Sequence, residues 1–545
     1  MEHNLPITIF HWTLSLLPIA ALLVMMVFLG WSGSLSGGIA LAMAFLIALI
    51  LFDAPWLTAA VGLGKGAWDA FFILLVVWPA LLIYQVAEKA GAFKAIRQGI
   101  EEYSQNYLFL VLSLGWVFAS ILQGIAGFGA PIAIVTPLLI GIGVKPFMAI
   151  AIALIGHAWG KMFGTLGVGW LATLNVVNIE NQTMTLIYHG ILLWIPNLLG
   201  GFFICYLFAR WKGVKAAWVF VVVVSLIQGG GQMLLMQVNP ALSNFLAATL
   251  SLGAVLLFSR FAAYQEKDEE LEETSSILQP SDEKEEKKAK MGLHEAFMPY
   301  YVLCILSIAM LGVPALIEFL EQWEFGFPVP ETSTGYGYTV EGEEAYSPIA
   351  PLTHPGLYLL ISSIFGYFWY KSKGHYDHLQ EDEQSGPVAA ISKGTASEAL
   401  GASLAILAFL TMANVMEQVG MTSVLGLGIA AVSSPLVYAG LANIIGIAGA
   451  YITSSNTSSN VLFAPLHASV AGSMDGLKLE QVIASQSAGG AVGNVIAPAN
   501  IILGTSTANI GKEETKKIYK PALIFLGICA AIFSACGILF YLLFR

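Results

Sequence analysis

Charge is scarce in this chain. Only 11% of its 545 residues are Asp, Glu, Lys or Arg, against 57% hydrophobic. A soluble globular protein carries roughly 25% charged residues, so an ordinary water-exposed surface is excluded. Cysteine is scarce as well. Cys205, Cys304, Cys529 and Cys536 lie in apolar runs with no metal-ligand spacing. They read as small buried hydrophobes, and no metal site is expected. Met1 to Pro6 holds no Lys or Arg. A cleavable signal peptide starts with basic residues, so the first apolar segment is expected to stay as an anchor. No P-loop, zinc signature, Rossmann fingerprint or Gly-x-Ser-x-Gly elbow occurs. No cofactor, ATP-driven pump or enzyme is therefore read from a motif. The formal charge of −11 is concentrated in loops, and no nucleic-acid partner is expected.

What is present is long apolar sequence. Runs lie at about 8–29, 35–52, 68–87, 107–123, 146–165, 186–209, 216–237 and 241–261. A second group lies at about 297–320, 353–370, 396–416, 421–452 (read as two pieces), 481–505 and 519–543. The runs are continuous and do not alternate, which argues against a β-barrel. They predict an all-α polytopic membrane protein with roughly 12–14 transmembrane helices. Between the groups, Gln265 to Lys290 is rich in Glu and Lys and poor in aromatics. It reads as a solvated flexible linker. The predicted organisation is an N-terminal transmembrane half at 1–264, a charged linker at 265–292 and a C-terminal half at 293–545.

Basic residues in short loops set the orientation. Lys89, Lys94 and Arg97 form one group, and Arg210, Lys212 and Lys215 a second. Lys371, Lys373 and Lys393 form a third, and Lys512, Lys516, Lys517 and Lys520 a fourth. These loops and the linker are expected to be cytoplasmic, in a prokaryotic-type plasma membrane. Glu321 to Leu352 has no Lys or Arg and suits the outside. The N-terminus then falls outside while the second half enters from within, as two inverted-topology halves require. The number of crossings does not balance at 124–141 or at 421–505, which predicts broken or re-entrant helices there.

Two polar stretches mark those places. Gln123 to Pro131 reads Gln-Gly-Ile-Ala-Gly-Phe-Gly-Ala-Pro, and Thr453 to Asn460 consists only of Ser, Thr and Asn. Unpaired backbone in hydrocarbon costs several kcal/mol per group, so such stretches survive only against protein or a water-filled cavity. Gly127 and Gly129 around Phe128 let the backbone approach a ligand. A helix opening at Ala130 and Pro131 would turn free amides toward an anion. Close helix packing is the competing reading of the glycines. Thr457, Ser458, Ser459 and Asn460 can donate to a carboxylate or coordinate a cation. Asn494 and Asn500 form a third polar patch. Ionisable residues inside spans are rare and usually functional. His157 and Lys161 stand four apart, on one helix face. They are candidates for proton coupling or charge balance, against an interior hydrogen bond for His157 and snorkelling for Lys161. His467 is a lesser proton candidate. Glu417 and Glu398 flank a span and read as candidate or boundary charges. Asp53, Lys65, Asp69 and Glu88 fall at span ends and read as interfacial.

These stretches resemble the L-lactate permease family. Gln123 to Ile134 is similar to its Glu-Gly-Ala-Ala-Gly-Phe-Gly-Ala/Thr-Pro-Val-Ala-Ile pattern, and Thr457 to Ala464 to its Thr-Ser-Ser-Asn-Ala-Leu-Phe-Ala stretch. Gln486 to Asn500 and Lys89 to Arg97 also resemble family segments. The resemblance implies a secondary transporter importing lactate, and often glycolate, with protons. Some positions depart from the pattern. Gln123 stands in place of Glu, Asn456 in place of Asp, and Asn494 in place of a Lys found in some members. His157-Ala-Trp-Gly-Lys161 replaces an Asn-Thr/Ser-Ala-Pro-Val pattern. The resulting expectation is a divergent member that symports a small monocarboxylate with a proton, with Gln123, His157, Lys161 and Glu417 as candidates for coupling. Sodium coupling, an anion channel and a membrane enzyme acting on lipids stay open, and the reading admits a homodimer.

Overall fold

The structure, a computed structural model, describes residues 5–279, 289–312, 314–382 and 386–544. Part of the predicted linker, 280–288, lies outside the described residues. α1 (Ile9–Val27) and α2 (Gly33–Leu51) form a hairpin. α3 (Trp56–Ala90) ends at Gly91, which carries the chain into the short α4 (Ala92–Glu101). α5 (Tyr107–Ile125), α6 (Ala130–Gly141), α7 (Pro146–Gly156), α8 (Gly164–Leu174), α9 (Gln182–Leu235) and α10 (Pro240–Phe258) follow. After the charged segment come α11 (Met298–Gly312), four short strands, α12 (Pro355–Ser372) and α13 (Gly386–Gln418). The chain ends with α14 (Met421–Val432), α15 (Pro435–Thr453), α16 (Asn456–Ser473), α17 (Leu479–Gly493), α18 (Pro498–Ala508) and α19 (Lys512–Phe544).

Among the described residues, ten helices are long and apolar enough to cross a bilayer, or eleven if the bent pair α7–α8 counts as one span. Shorter apolar helices accompany them, α6, α14 and the start of α11. Leu46, Ile50, Leu250, Leu257 and Leu539 are exposed on the outside of the bundle. An apolar exterior needs lipid against it, and these are the proportions of an integral membrane protein. Helix starts follow local chemistry. The side chains of Asn106, Asn181, Asn239, Ser434 and Ser455 each accept from a backbone N–H of the first turn they precede. Pro240 and Pro435 occupy first-turn positions that need no donor.

One succession of elements occurs twice. In the first half, 19-residue α5 is followed by a break, α6, a turn, α7, a second break and α8. In the second half, 19-residue α15 is followed by a break, α16, a turn, α17, a second break and α18. The breaks fall at 126–129 and 157–163, and at 454–455 and 494–497. Pro137 and Pro465 stand inside α6 and α16. The expected interruptions therefore exist, and each polar stretch has a companion break further along the chain.

α3 and α13 are 35 and 33 residues long, and lie antiparallel in close contact. An added Cβ on Gly66 would fall 2.3 Å from the Thr411 Cα, and one on Gly62 2.9 Å from the Val415 Cα. Glycine is what allows the two backbones to approach this closely.

The predicted basic loops gather at one end. Lys145 donates to the Ser276 carbonyl (2.8 Å), Lys212 pairs with Glu270 (2.7 Å), and Gln105 N–H donates to the Gln265 carbonyl (2.8 Å). Lys517 lies over the Phe147 ring, and Tyr376 donates to the Val86 carbonyl. Residues 265–279 are thus docked on the helix ends, with Ile277 fully buried, where a free linker was expected. Lysine, hydroxyl and backbone contacts hold them, and charge composition does not reveal which partners meet. The Lys212 ammonium holds the exposed Glu270 carboxyl below its usual range. The opposite end carries a β-structured segment that hydropathy does not reveal. β1 (Phe325–Val329) pairs antiparallel with β4 (Glu343–Ile349), and β2 (Thr332–Ser333) with β3 (Thr339–Val340). Thr58 and Trp68 of α3 donate to the Ser333 and Ser347 carbonyls (2.9 and 3.0 Å).

Candidate functional site

The first break is made by backbone shape. Ala126 leaves the helical region, and Gly129 stands at φ +97°, where a side chain would strain the turn. α6 then opens on Ala130 and Pro131. Gly127 N–H donates to the Thr165 hydroxyl (2.7 Å). Thr165 stands directly after the companion break, in a non-helical first turn of α8 where Thr165, Leu166 and Gly167 are all left-handed. The two breaks of the first half are therefore bonded to each other.

The second half repeats this device with side chains. Ser454 is left-handed at φ 54°. The Ser455 hydroxyl accepts from Ser458 N–H (3.2 Å) and caps α16. With its side-chain amide turned to satisfy both ends, Asn494 bridges the two breaks, donating to the Ser454 carbonyl (3.1 Å) and accepting from Asn456 N–H (3.0 Å). Asn500 donates to the Asn494 carbonyl (3.1 Å) and also meets its side chain.

All four breaks face one cavity of about 430 Å³. Gln123, Gly127, Phe128 and Gly129 line it from the first break, and Lys161, Gly164 and Thr165 from the second. Thr453 to Ser458 form another wall, with Asn494, Ala499 and Asn500 beside them. Ser32, Gly33 and Ser34, at the tip of the α1–α2 hairpin, complete it together with one face of α13 from Glu398 to Phe409. Lys161 and Glu398 are the only ionisable groups among the described lining residues.

The predicted site residues divide into four groups. Gln123, Gly127, Phe128, Gly129, Lys161, Thr457, Ser458, Asn494 and Asn500 line the cavity. Ala130 and Pro131 are buried in the first turn of α6. Ser459 and Asn460 stand behind the wall, where Gln486 donates to both (3.1 and 3.2 Å) and Ser487 to Asn460 (3.3 Å). His157 and Glu417 are not among the lining residues. His157 is fully enclosed; its Nδ1 is bonded to the Ala153 carbonyl and its Nε2 has no partner. Glu417 lies in the last turn of α13, beyond Phe409. His467 is sealed between Tyr438 and Gln486. Asp69, expected at an interface, is fully buried and accepts from Tyr346 (2.8 Å) and Asn414 (2.9 Å). A fold that packs the β segment over the end of α3 encloses what would otherwise be a boundary residue.

Glu398 is the functional candidate that the sequence undervalues, because its position marks it only as a boundary charge. A signal was nevertheless available. Gly401, Ala402 and Ala405 follow it at helical spacing, and small residues below a charge describe one open helix face. Four of the positions that depart from the family pattern converge as well. Gln123, Asn456, Asn494 and Lys161 all line this one cavity.

The family model for L-lactate permease matches residues 12–543. The chain belongs to the L-lactate permease family. Among its relatives, the L-lactate permease of Halalkalibacterium halodurans is 24% identical, over 95% of this chain and 96% of that protein. The L-lactate permease of Escherichia coli is 25% identical, over 95% and 94%. The glycolate permease GlcA of Escherichia coli is also 25% identical, over 95% and 94%. Among solved structures, the YdaH transporter of Alcanivorax borkumensis aligns with a TM-score of 0.41 at 15% identity, covering 86% of each chain. Membership makes this integral membrane protein a permease-type transporter.

Proposed function

We propose that the protein is a secondary active transporter that imports L-lactate or a similar small monocarboxylate, such as glycolate, by proton symport across a bacterial plasma membrane. The observation that carries this is the position of Lys161, the one cation among the described lining residues of a cavity walled by broken helices. Its ammonium would hold the substrate carboxylate. The hydroxyls of Thr457 and Ser458 would orient it. The family supports an anion of this class, since its relatives are named as lactate and glycolate permeases. The recurring succession of elements supports two inverted halves, 1–264 and 293–545, joined by a charged segment at 265–292 on the cytoplasmic side.

Purified protein in liposomes tests the reading. With an inward proton gradient, L-lactate is expected to accumulate above its external concentration. A channel gives flux without accumulation, and that result would remove the transporter. Accumulation that follows a sodium gradient at equal pH would replace the proton with sodium.

A further inference from the structure

A transported proton needs a carrier that the cavity can reach and whose charge the substrate can feel. His157 lacks access. It is fully buried, and its ring is committed to a backbone carbonyl. Glu417 and Asp69 do not line the cavity. Gln123, Asn456 and Asn494 line it but cannot hold a proton at neutral pH. Glu398 lines it, is exposed, and carries the only carboxylate among the described lining residues.

The partner of Glu398 is equally informative. Gln85 on α3 donates its Nε2 to the Glu398 carboxylate (2.8 Å). Gln85 is 4% exposed, and its Oε1 has no hydrogen-bond partner. A buried acceptor left unpaired is costly. It lies against Gly394, one turn before Glu398, where an added Cβ would stand 2.2 Å from it. An amide carries both a donor and an acceptor. Its nitrogen serves the carboxylate, and on rotation its oxygen can accept from the protonated carboxyl. Gln85 can therefore satisfy Glu398 in both charge states.

We infer that Glu398 binds and releases the transported proton, with Gln85 as its positioning residue, in the cavity where Lys161 holds the substrate carboxylate. The inference rests on the transport reading above. The proton comes from water on the side to which the cavity opens. It bonds to a Glu398 carboxylate oxygen and returns to water on the other side. With Glu398 ionised, the cavity already holds one cation and one anion, and an arriving monocarboxylate leaves it with a net negative charge. With Glu398 protonated, that same carboxylate balances Lys161. Proton and anion therefore favour each other, and the coupling is reciprocal. The charged or titratable groups around Glu398 are Tyr84, Glu88 and Lys89 on α3 and Lys161 across the cavity. The hairpin tip and the walls from 453–458 and 494–500 contribute no charge.

The test uses full-length protein in liposomes clamped at zero membrane potential, with radiolabelled L-lactate. Counterflow exchange, uptake driven by a pH gradient, and the pH dependence of apparent affinity are measured for each variant. In the unaltered protein, affinity should strengthen by up to about tenfold per pH unit on acidification. Glu398→Gln should flatten that dependence. It should reduce gradient-driven accumulation at least tenfold, with a loss in exchange of less than about threefold, since charge neutralisation mimics the protonated state. Glu398→Asp should restore accumulation. Gln85→Met should raise the pH of half-maximal uptake by up to about a unit, because the bond it loses to the charged carboxylate is stronger than the one it loses to the protonated carboxyl. Full gradient-driven accumulation in Glu398→Gln would overturn the assignment. Equal loss of exchange and accumulation would overturn it too, by making Glu398 a substrate ligand. A protein that exchanges neither lactate nor glycolate would instead remove the transport reading itself.

Discussion

Asn460 was a candidate for holding the substrate and Lys161 for balancing its charge, and the two stand differently in the structure. Lys161 faces the cavity, whereas Asn460 braces the wall behind it. A hydrogen bond to a charged group is worth about 1.5–3 kcal/mol. Lys161→Met is therefore expected to raise the apparent KM for lactate exchange by about 10- to 150-fold. Asn460→Ala leaves Gln486 and Ser487 short of an acceptor, which costs about 1–3 kcal/mol of stability. It should lower the unfolding temperature in detergent and raise KM less than Lys161→Met. The reverse ranking in counterflow would exchange their roles. From the sequence the two looked alike, because polarity in an apolar run shows that a residue has a partner but not which one. Gly127 was more legible. A Cβ there would stand 2.5 Å from Gln123 Nε2 and 2.6 Å from Thr165 Oγ1, so the glycine is required by contact as well as by turn shape.

At the scale of elements, hydropathy located most helices, and glycine and hydroxyl content located two breaks. The breaks at 157–163 and 494–497 were harder to read, since apolar residues run through both and the bend depends on neighbouring helices. The α3–α13 pair provides a test of packing. Gly66 meets the Thr411 backbone, whereas a Cβ on Gly64 would meet nothing within 4 Å. Gly66→Ala must push two long helices apart, at a cost of about 1–3 kcal/mol or more. Its unfolding temperature and yield should fall, while Gly64→Ala should behave as the parent does. Equal behaviour of the two variants would mean that the helices are not held at this distance.

For the whole molecule, the cavity lies between the broken helices and α13. In the proposed transporter, alternating access requires these walls to move against each other, by rocking or by an elevator motion. α3 and α13 should move together, since Trp78 donates to Ser403 (3.1 Å) and Gln85 to Glu398 across their contact. In a background lacking the native cysteines, a short thiol cross-linker between positions 78 and 403 is expected to leave uptake intact. The same linker between positions 402 and 457, across the cavity, is expected to stop uptake and exchange. Transport that survives the second cross-link would exclude a relative motion of these walls.

The membrane class, the basic loops, two of the breaks and the family resemblance are local properties. They depend on residue type and on spacing over a few turns, so the chain alone determined them. The membership of the cavity does not depend on such spacing. It places Lys161, Glu398, Asn456 and the hairpin tip around one space and leaves His157 and Glu417 outside. Helix periodicity specifies which residues share a face, but not which face another helix meets. Only tertiary packing decided that, because burial and pairing of a polar group depend on neighbours far away in the chain.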